Sequence, residues 1–142
     1  MAVLVARFNS DITERLLAGA RAALVEHDAS PADLEIVFVP GAWELPQTAA
    51  HAVDSGRFDM VIALGCVIRG ETPHFDYVCS HANLGLGEVA RRSPIPVVFG
   101  VLTTDNLAQA TARAGDGFDN KGYEAALTGL EMVTVLRSLG SD

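Results

Sequence analysis

A chain of 142 residues, 49% hydrophobic and 20% charged, is expected to form a single packed domain over 1–142, and it is too apolar to be disordered. Its formal charge of −8 argues against nucleic acid, whose binding rests on neutralising phosphates, and no apolar run approaches a membrane span. Two cysteines are too few for a disulfide framework or a cysteine metal site.

Residues 1–7 lack the basic opening and cleavage site of a signal peptide, so a cytoplasmic location is expected. Residues 2–6 read as a buried strand, followed by Arg7, Phe8 and Asn9. Phe8 at that strand tip suits either a hydrophobic staple for the next helix or a stacking platform for a flat heterocycle. Ile12, Leu16, Leu17, Ala20 and Leu24 form one helical stripe, opened by Asp11 with Glu14 three positions on, a variant of the capping box.

A second apolar run, 34–39, leads into Pro40, Gly41, Ala42, Trp43 and Glu44. Glu44 is explained as an acid at a helix start; beside Gly41 and Ala42 it is also suited to accept bonds from a polyol. The helix that follows carries Leu45, Ala49, Ala50 and Val53 and stops at Gly56. His27 and His51 fall on polar helix ends and read as solvated.

The most informative stretch is 63–76. A strand over 60–64 runs through Gly65, Arg69, Gly70 and Thr72 into a helix whose first turn holds Pro73 and His74. A strand, a glycine-containing turn and a helix start leave backbone N–H groups aimed at one place, which is an anion site favoured by the helix dipole. His74, whose imidazole can give or take a proton, sits beside it, and this pairing suits proton transfer on a phosphorylated small molecule. Cys66 and Cys79, in apolar or helical contexts, read as small buried hydrophobes. Phe75, Val78, Ala82, Leu86 and Val89 make a third helical stripe, interrupted by Gly85 and Gly87; His81, mid-helix, carries no assigned role.

The fourth strand is expected at 96–102, with Thr104 capping a helix that ends at Gly115. Arg113, near that helix end, is favoured there by the dipole alone. Lys121, the one lysine against nine arginines, opens the last helix, the end where a cation is disfavoured, and a placement against local preference suggests a functional reason. Tyr123, Ala126, Leu127, Leu130 and Leu136 mark that helix. Four continuous apolar strands alternating with helices give an α/β three-layer sandwich, a four-stranded parallel sheet with helices on both faces. Ligands of such sheets bind outside the carboxyl ends of the strands, where all these candidate residues fall.

With the loops assembled, the chain resembles the lumazine synthase family. The matching blocks are Ala6-Arg7-Phe8-Asn9, Val39-Pro40-Gly41-Ala42-Trp43-Glu44-Leu45-Pro46, the whole of 63–78 with its Arg-Gly-x-Thr-x-His-Phe-Asp core, Phe99-Gly100-Val101-Leu102-Thr103-Thr104, Arg113-Ala114-Gly115 and Asn120-Lys121-Gly122-Tyr123. The resemblance implies a flavodoxin-like fold. It also implies the condensation of 5-amino-6-(D-ribitylamino)uracil with L-3,4-dihydroxy-2-butanone 4-phosphate to 6,7-dimethyl-8-ribityllumazine, the penultimate step of riboflavin biosynthesis, with no cofactor and no metal.

By position, Phe8, Ala42, Trp43, Glu44, Cys66, Val67, Ile68 and Phe99 would hold the ribitylaminouracil. Glu71, Thr72 and Arg113 would hold the butanone phosphate, with the Glu71 carboxylate turned to solvent away from the like-charged phosphate. His74 would be the proton donor and Lys121 its assistant. The resemblance further implies a homopentamer, with a sixty-subunit capsid and riboflavin synthase as further candidate associations. The site would lie between subunits, with Arg113 and His74 on one chain and Phe99 from the neighbour. Relatives usually carry a segment before the first strand that pairs with the neighbouring sheet, whereas this sequence begins almost at that strand.

Three rival readings share parts of this pattern. An archaeal-type riboflavin synthase would consume lumazine and has no phosphorylated substrate to explain the Gly-x-Thr-x-His loop. A non-catalytic lumazine- or flavin-binding shell protein would keep Phe8 and Glu44 without needing His74 or Arg113. A flavodoxin-like nucleotide-binding module would carry a glycine-rich loop after the first strand, and Arg7-Phe8-Asn9-Ser10-Asp11 is not one.

Overall fold

The computed structural model describes residues 1–140. Four strands form one all-parallel sheet in the order β2-β1-β3-β4: β1 (Ala2–Ala6), β2 (Glu35–Val39), β3 (Val61–Ile68) and β4 (Val97–Thr104). The register pairs Ala2 with both Glu35 and Val61, and Val61 with Val97. Five α-helices connect and flank them: α1 (Ser10–Glu26), α2 (Leu45–Asp54), α3 (His74–Arg92), α4 (Leu107–Ala112) and α5 (Lys121–Gly140). No described helix is long and apolar enough to cross a membrane.

The continuous apolar strands are explained by burial on both faces. Val3, Val5, Ile62, Leu64 and Val98 pack with Leu16, Leu24, Ala110 and Ala126 from α1, α4 and α5. Leu4, Ala6, Val61, Ala63 and Val101 point the other way, against Leu45, Ala49, Ala82 and Leu86 of α2 and α3. This is the flavodoxin-like α/β arrangement expected from the sequence. The chain leaves β1 toward β2 on one side and returns to β3 on the other, so the reversal in strand order falls between β1 and β3, where such sheets open a crevice at their carboxyl ends.

Several boundaries differ from expectation. β3 continues to Ile68 and β4 to Thr104, because the two pair residue for residue along their whole length, from Val61↔Val97 to Ile68↔Thr104. Gly65 is therefore a strand residue and the turn begins only at Arg69. Thr104 does not cap α4: it is a buried strand end whose hydroxyl donates to the Asn106 carbonyl, and Asn106 Oδ1 caps the helix by accepting from Gln109 N–H at 2.9 Å. The capping box at α1 does not form either. The cap residue is Asn9, in the left-handed region at φ 61°, and no side chain caps the helix. The Asn9 carboxamide instead donates to the Cys66 carbonyl at 2.8 Å, tying the end of β1 to β3.

Candidate functional site

The carboxyl edge of the sheet carries the chemistry-bearing loops. Pairing between β1 and β2 persists past the strands, with Arg7 N–H donating to Val39 O at 2.8 Å and Phe8 N–H to Pro40 O at 3.1 Å. This sets Phe8 beside the 40–44 turn with its ring 72% exposed, so it is no staple for α1. A 3₁₀ turn over Ala42–Glu44 leads directly into α2, and Thr48 fixes it by donating its hydroxyl to the Glu44 carbonyl at 2.8 Å.

A hollow of about 560 Å³ opens between these segments. Phe8 lines it from the end of β1, Ala42, Trp43 and Glu44 from the turn, and Cys66, Val67 and Ile68 from the last residues of β3. Thr72 and His74 close it from the loop and the first residue of α3. Nine of the residues expected to act together from sequence are thus brought together. Burial pushes the Cys66 thiol up to about 11, so it is neutral and poorly nucleophilic at ordinary pH.

In the loop after β3, the Arg69 guanidinium is already committed. Arg69 Nε donates to Asp105 Oδ1 at 2.9 Å, its Nη1 lies 3.5 Å from Asp76 Oδ1, and its guanidinium sits 4.4 Å from the Phe75 ring centroid. Arg69 joins the ends of β3 and β4 to the start of α3 and contributes little free charge. What remains for an anion is backbone: among the described residues, no backbone carbonyl accepts from the N–H of Gly70, Glu71 or Thr72. Glu71 is exposed.

The remaining candidates lie elsewhere. Phe99, Arg113 and Lys121 line a second hollow of about 720 Å³, along β4 and α5. β4 is an edge strand, and the Phe99 ring is 45% exposed on it. Arg113 Nη1 donates to its own helix at Gln109 O, 3.0 Å away, and its carbonyl accepts from Lys121 N–H at 2.9 Å, so the two cations are coupled through the backbone. The Lys121 ammonium is 2.7 Å from Glu124 Oε2, one turn into α5, and this ion pair offsets the unfavourable dipole at the helix start. Within one copy, Arg113 shares its hollow with Phe99, and His74 lines the other.

Sequence reading missed two supporting residues. His81 stacks on Trp43, with ring centroids 3.7 Å apart and planes 19° from parallel. Its spacing of seven from His74, which puts both on one helix stripe, was the available signal. Asn120, quoted only as part of a motif, is 2% exposed and uses its whole carboxamide. Nδ2 donates to Arg15 O and Gly115 O, both at 2.9 Å, and Oδ1 accepts from Gly122 N–H and Tyr123 N–H.

The fold, the order of the loops along the sheet edge and the residues they carry agree with one comparison: the family model described as 6,7-dimethyl-8-ribityllumazine synthase matches residues 1–137. That family consists of transferases of riboflavin biosynthesis, and the chain belongs to it.

Proposed function

We propose that the protein condenses 5-amino-6-(D-ribitylamino)uracil with L-3,4-dihydroxy-2-butanone 4-phosphate to 6,7-dimethyl-8-ribityllumazine. The observation that carries this reading is the hollow that joins an exposed aromatic platform (Phe8), a carboxylate beside small residues (Glu44 with Ala42) and a histidine next to unpaired loop amides (His74 with Gly70 to Thr72). A flat heterocycle with a polyol tail, and a phosphorylated partner beside it, suit those groups in turn.

The substrate amine attacks the ketone and loses water to give an imine. Phosphate leaves, and the ribityl-bearing nitrogen closes the ring with loss of a second water. The nucleophile is therefore the substrate's own amine, in keeping with a hollow whose thiol is neutral. Holding two reactants in register contributes up to roughly 7–11 kcal/mol in well-oriented cases. His74 carries protons to the departing oxygens, an effect worth about 10²–10⁴-fold.

The division of the candidate residues between two hollows supports a site completed by a second copy. One copy supplies Phe8, Ala42, Trp43, Glu44, Cys66, Val67, Ile68, Thr72 and His74, with the Glu71 backbone; its neighbour supplies Phe99, Arg113 and Lys121. Closed rings of identical subunits arise from such head-to-tail contacts, and a pentamer is the assembly proposed. The test is an absorbance assay for lumazine with both substrates, with and without EDTA. Lumazine formation that is indifferent to chelator supports the reading. Tight binding of the pyrimidine without product would replace the synthase with a binding shell.

A further inference from the structure

His81 stands behind the candidate pocket, not in it. The α3 side chains that line the hollow are His74, Phe75 and Val78; His81 comes next on the same helix stripe and meets the back of the 42–44 turn. Two contacts join it there. Its imidazole stacks on the Trp43 indole at 3.7 Å, and its Nε2 lies 3.0 Å from the Trp43 carbonyl oxygen. A carbonyl only accepts, so Nε2 carries the hydrogen and donates it. One side chain thus holds both the ring and the backbone of Trp43.

The packing is built for this reach. Gly85, one turn beyond His81, faces Pro46 at the start of α2, and a Cβ on Gly85 would lie 2.7 Å from Pro46 Cβ. Only the missing side chain lets α3 come close enough for His81 to span to the turn. Trp43 needs such a support: its side chain is 49% exposed, and on its other side it faces the hollow. An unsupported indole at a rim samples several rotamers, and fixing it before binding removes that ordering cost from the affinity.

We infer that His81 is a positioning residue that fixes Trp43, and through it the Ala42–Glu44 turn, in the orientation that receives the heterocyclic substrate. This rests on the function proposed above for the hollow. His81 touches no substrate; it acts through Trp43, and it selects for the pyrimidine half of the reaction over the phosphorylated half, whose candidate contacts do not involve this turn.

Trp43 is the chain's single tryptophan, so its fluorescence reports the contact without any substrate. Three variants separate the two contacts: His81→Ala removes both, His81→Phe keeps a ring to stack, and His81→Gln keeps an N–H donor. The expected results are a red-shifted emission in His81→Ala that His81→Phe restores. With them goes a rise of about tenfold in KM for the ribitylaminopyrimidine, with kcat and the KM for the butanone phosphate within about twofold of wild type. His81→Gln should recover most of that KM. Unchanged emission in His81→Ala overturns the inference, as does an equal rise in both KM values. A wild-type protein that makes no lumazine overturns the function of the site instead, and the emission of Trp43 still decides whether His81 holds the ring.

Discussion

The Asn120 carboxamide occupies the space that a side chain on Gly19 would take: a Cβ built on Gly19 would overlap it. α1 and α5 meet at this point, and the next glycine in α5, Gly122, lies so close to the Leu16 backbone carbonyl that no larger residue fits. The loop that carries Arg113 and Lys121 is therefore fastened to α1 by a buried side chain with every donor and acceptor used.

Replacing Asn120 by alanine leaves the Arg15 and Gly115 carbonyls without their buried donor and removes the acceptor for two N–H groups at the start of α5. A lost cap and orphaned buried groups together cost about 2–4 kcal/mol. Gly19→Ala attacks the same contact from the other side and should cost about 1–3 kcal/mol through overpacking. Urea unfolding followed by circular dichroism at one protein concentration measures both. A midpoint unchanged in Asn120→Ala would mean that the loop is held by something else.

His74→Ala should lower kcat by about 10²–10⁴-fold and leave both KM values nearly unchanged, since proton transfer is lost while positioning of the substrates is kept. A slow residual enzyme is the expected product of that change, and unchanged turnover would remove His74 from the mechanism. Steady-state rates over a range of both substrates decide it.

The layers and the number of parallel strands were legible because a sheet covered on both faces imposes continuous apolar runs, as the four near 2, 35, 61 and 97 do. Strand ends were not legible. β3 and β4 extend each other through pairing, a non-local effect, so Gly65 and Thr104 look like turn and cap residues in the sequence and are strand residues in the fold. The cap at α1 failed for a related reason: Asn9 spends its carboxamide on Cys66, fifty-seven residues away. The pocket residues were legible because loops at one sheet edge must converge. The division between His74 and Arg113 was not, because which side of an edge strand a residue faces depends on how the chain turns after β4.

The Cys66 thiol gives a signed pH dependence. Burial raises it from the ordinary 9.0 to about 11. Below pH 9 the thiol is neutral in the folded and the unfolded chain alike, so its contribution to stability is complete. As pH rises from 9 toward 11 the unfolded chain ionises first, and that contribution is lost. Stability should fall over this window more steeply than in Cys66→Ala. Iodoacetamide, read by mass spectrometry, should leave Cys66 unmodified at pH 9 in the folded protein and modify it rapidly in urea. Fast labelling of the folded protein at pH 9 would contradict a buried, neutral thiol.

The placement of Arg113 beside Phe99 and away from His74 makes its own test. Arg113→Ala should raise the KM for the butanone phosphate by about 10–100-fold through loss of a charge-assisted contact, and His74→Ala should be nearly inactive for a different reason. If the two residues serve one site from different copies, each impaired variant, assayed with butanone phosphate well below the raised KM, still carries the intact half that the other lacks. Unfolding the two variants together and refolding them at equal concentration then regenerates complete sites. With random assembly, a site needs the His74 side from one variant and the Arg113 side from the other, so on the order of a quarter of wild-type activity should return. If both residues served the site from the same chain, no mixture of the two variants would contain an intact site, and mixing would restore nothing. The refolded single variants are the controls, and activity in the mixture above their sum is the quantity that decides between the two arrangements.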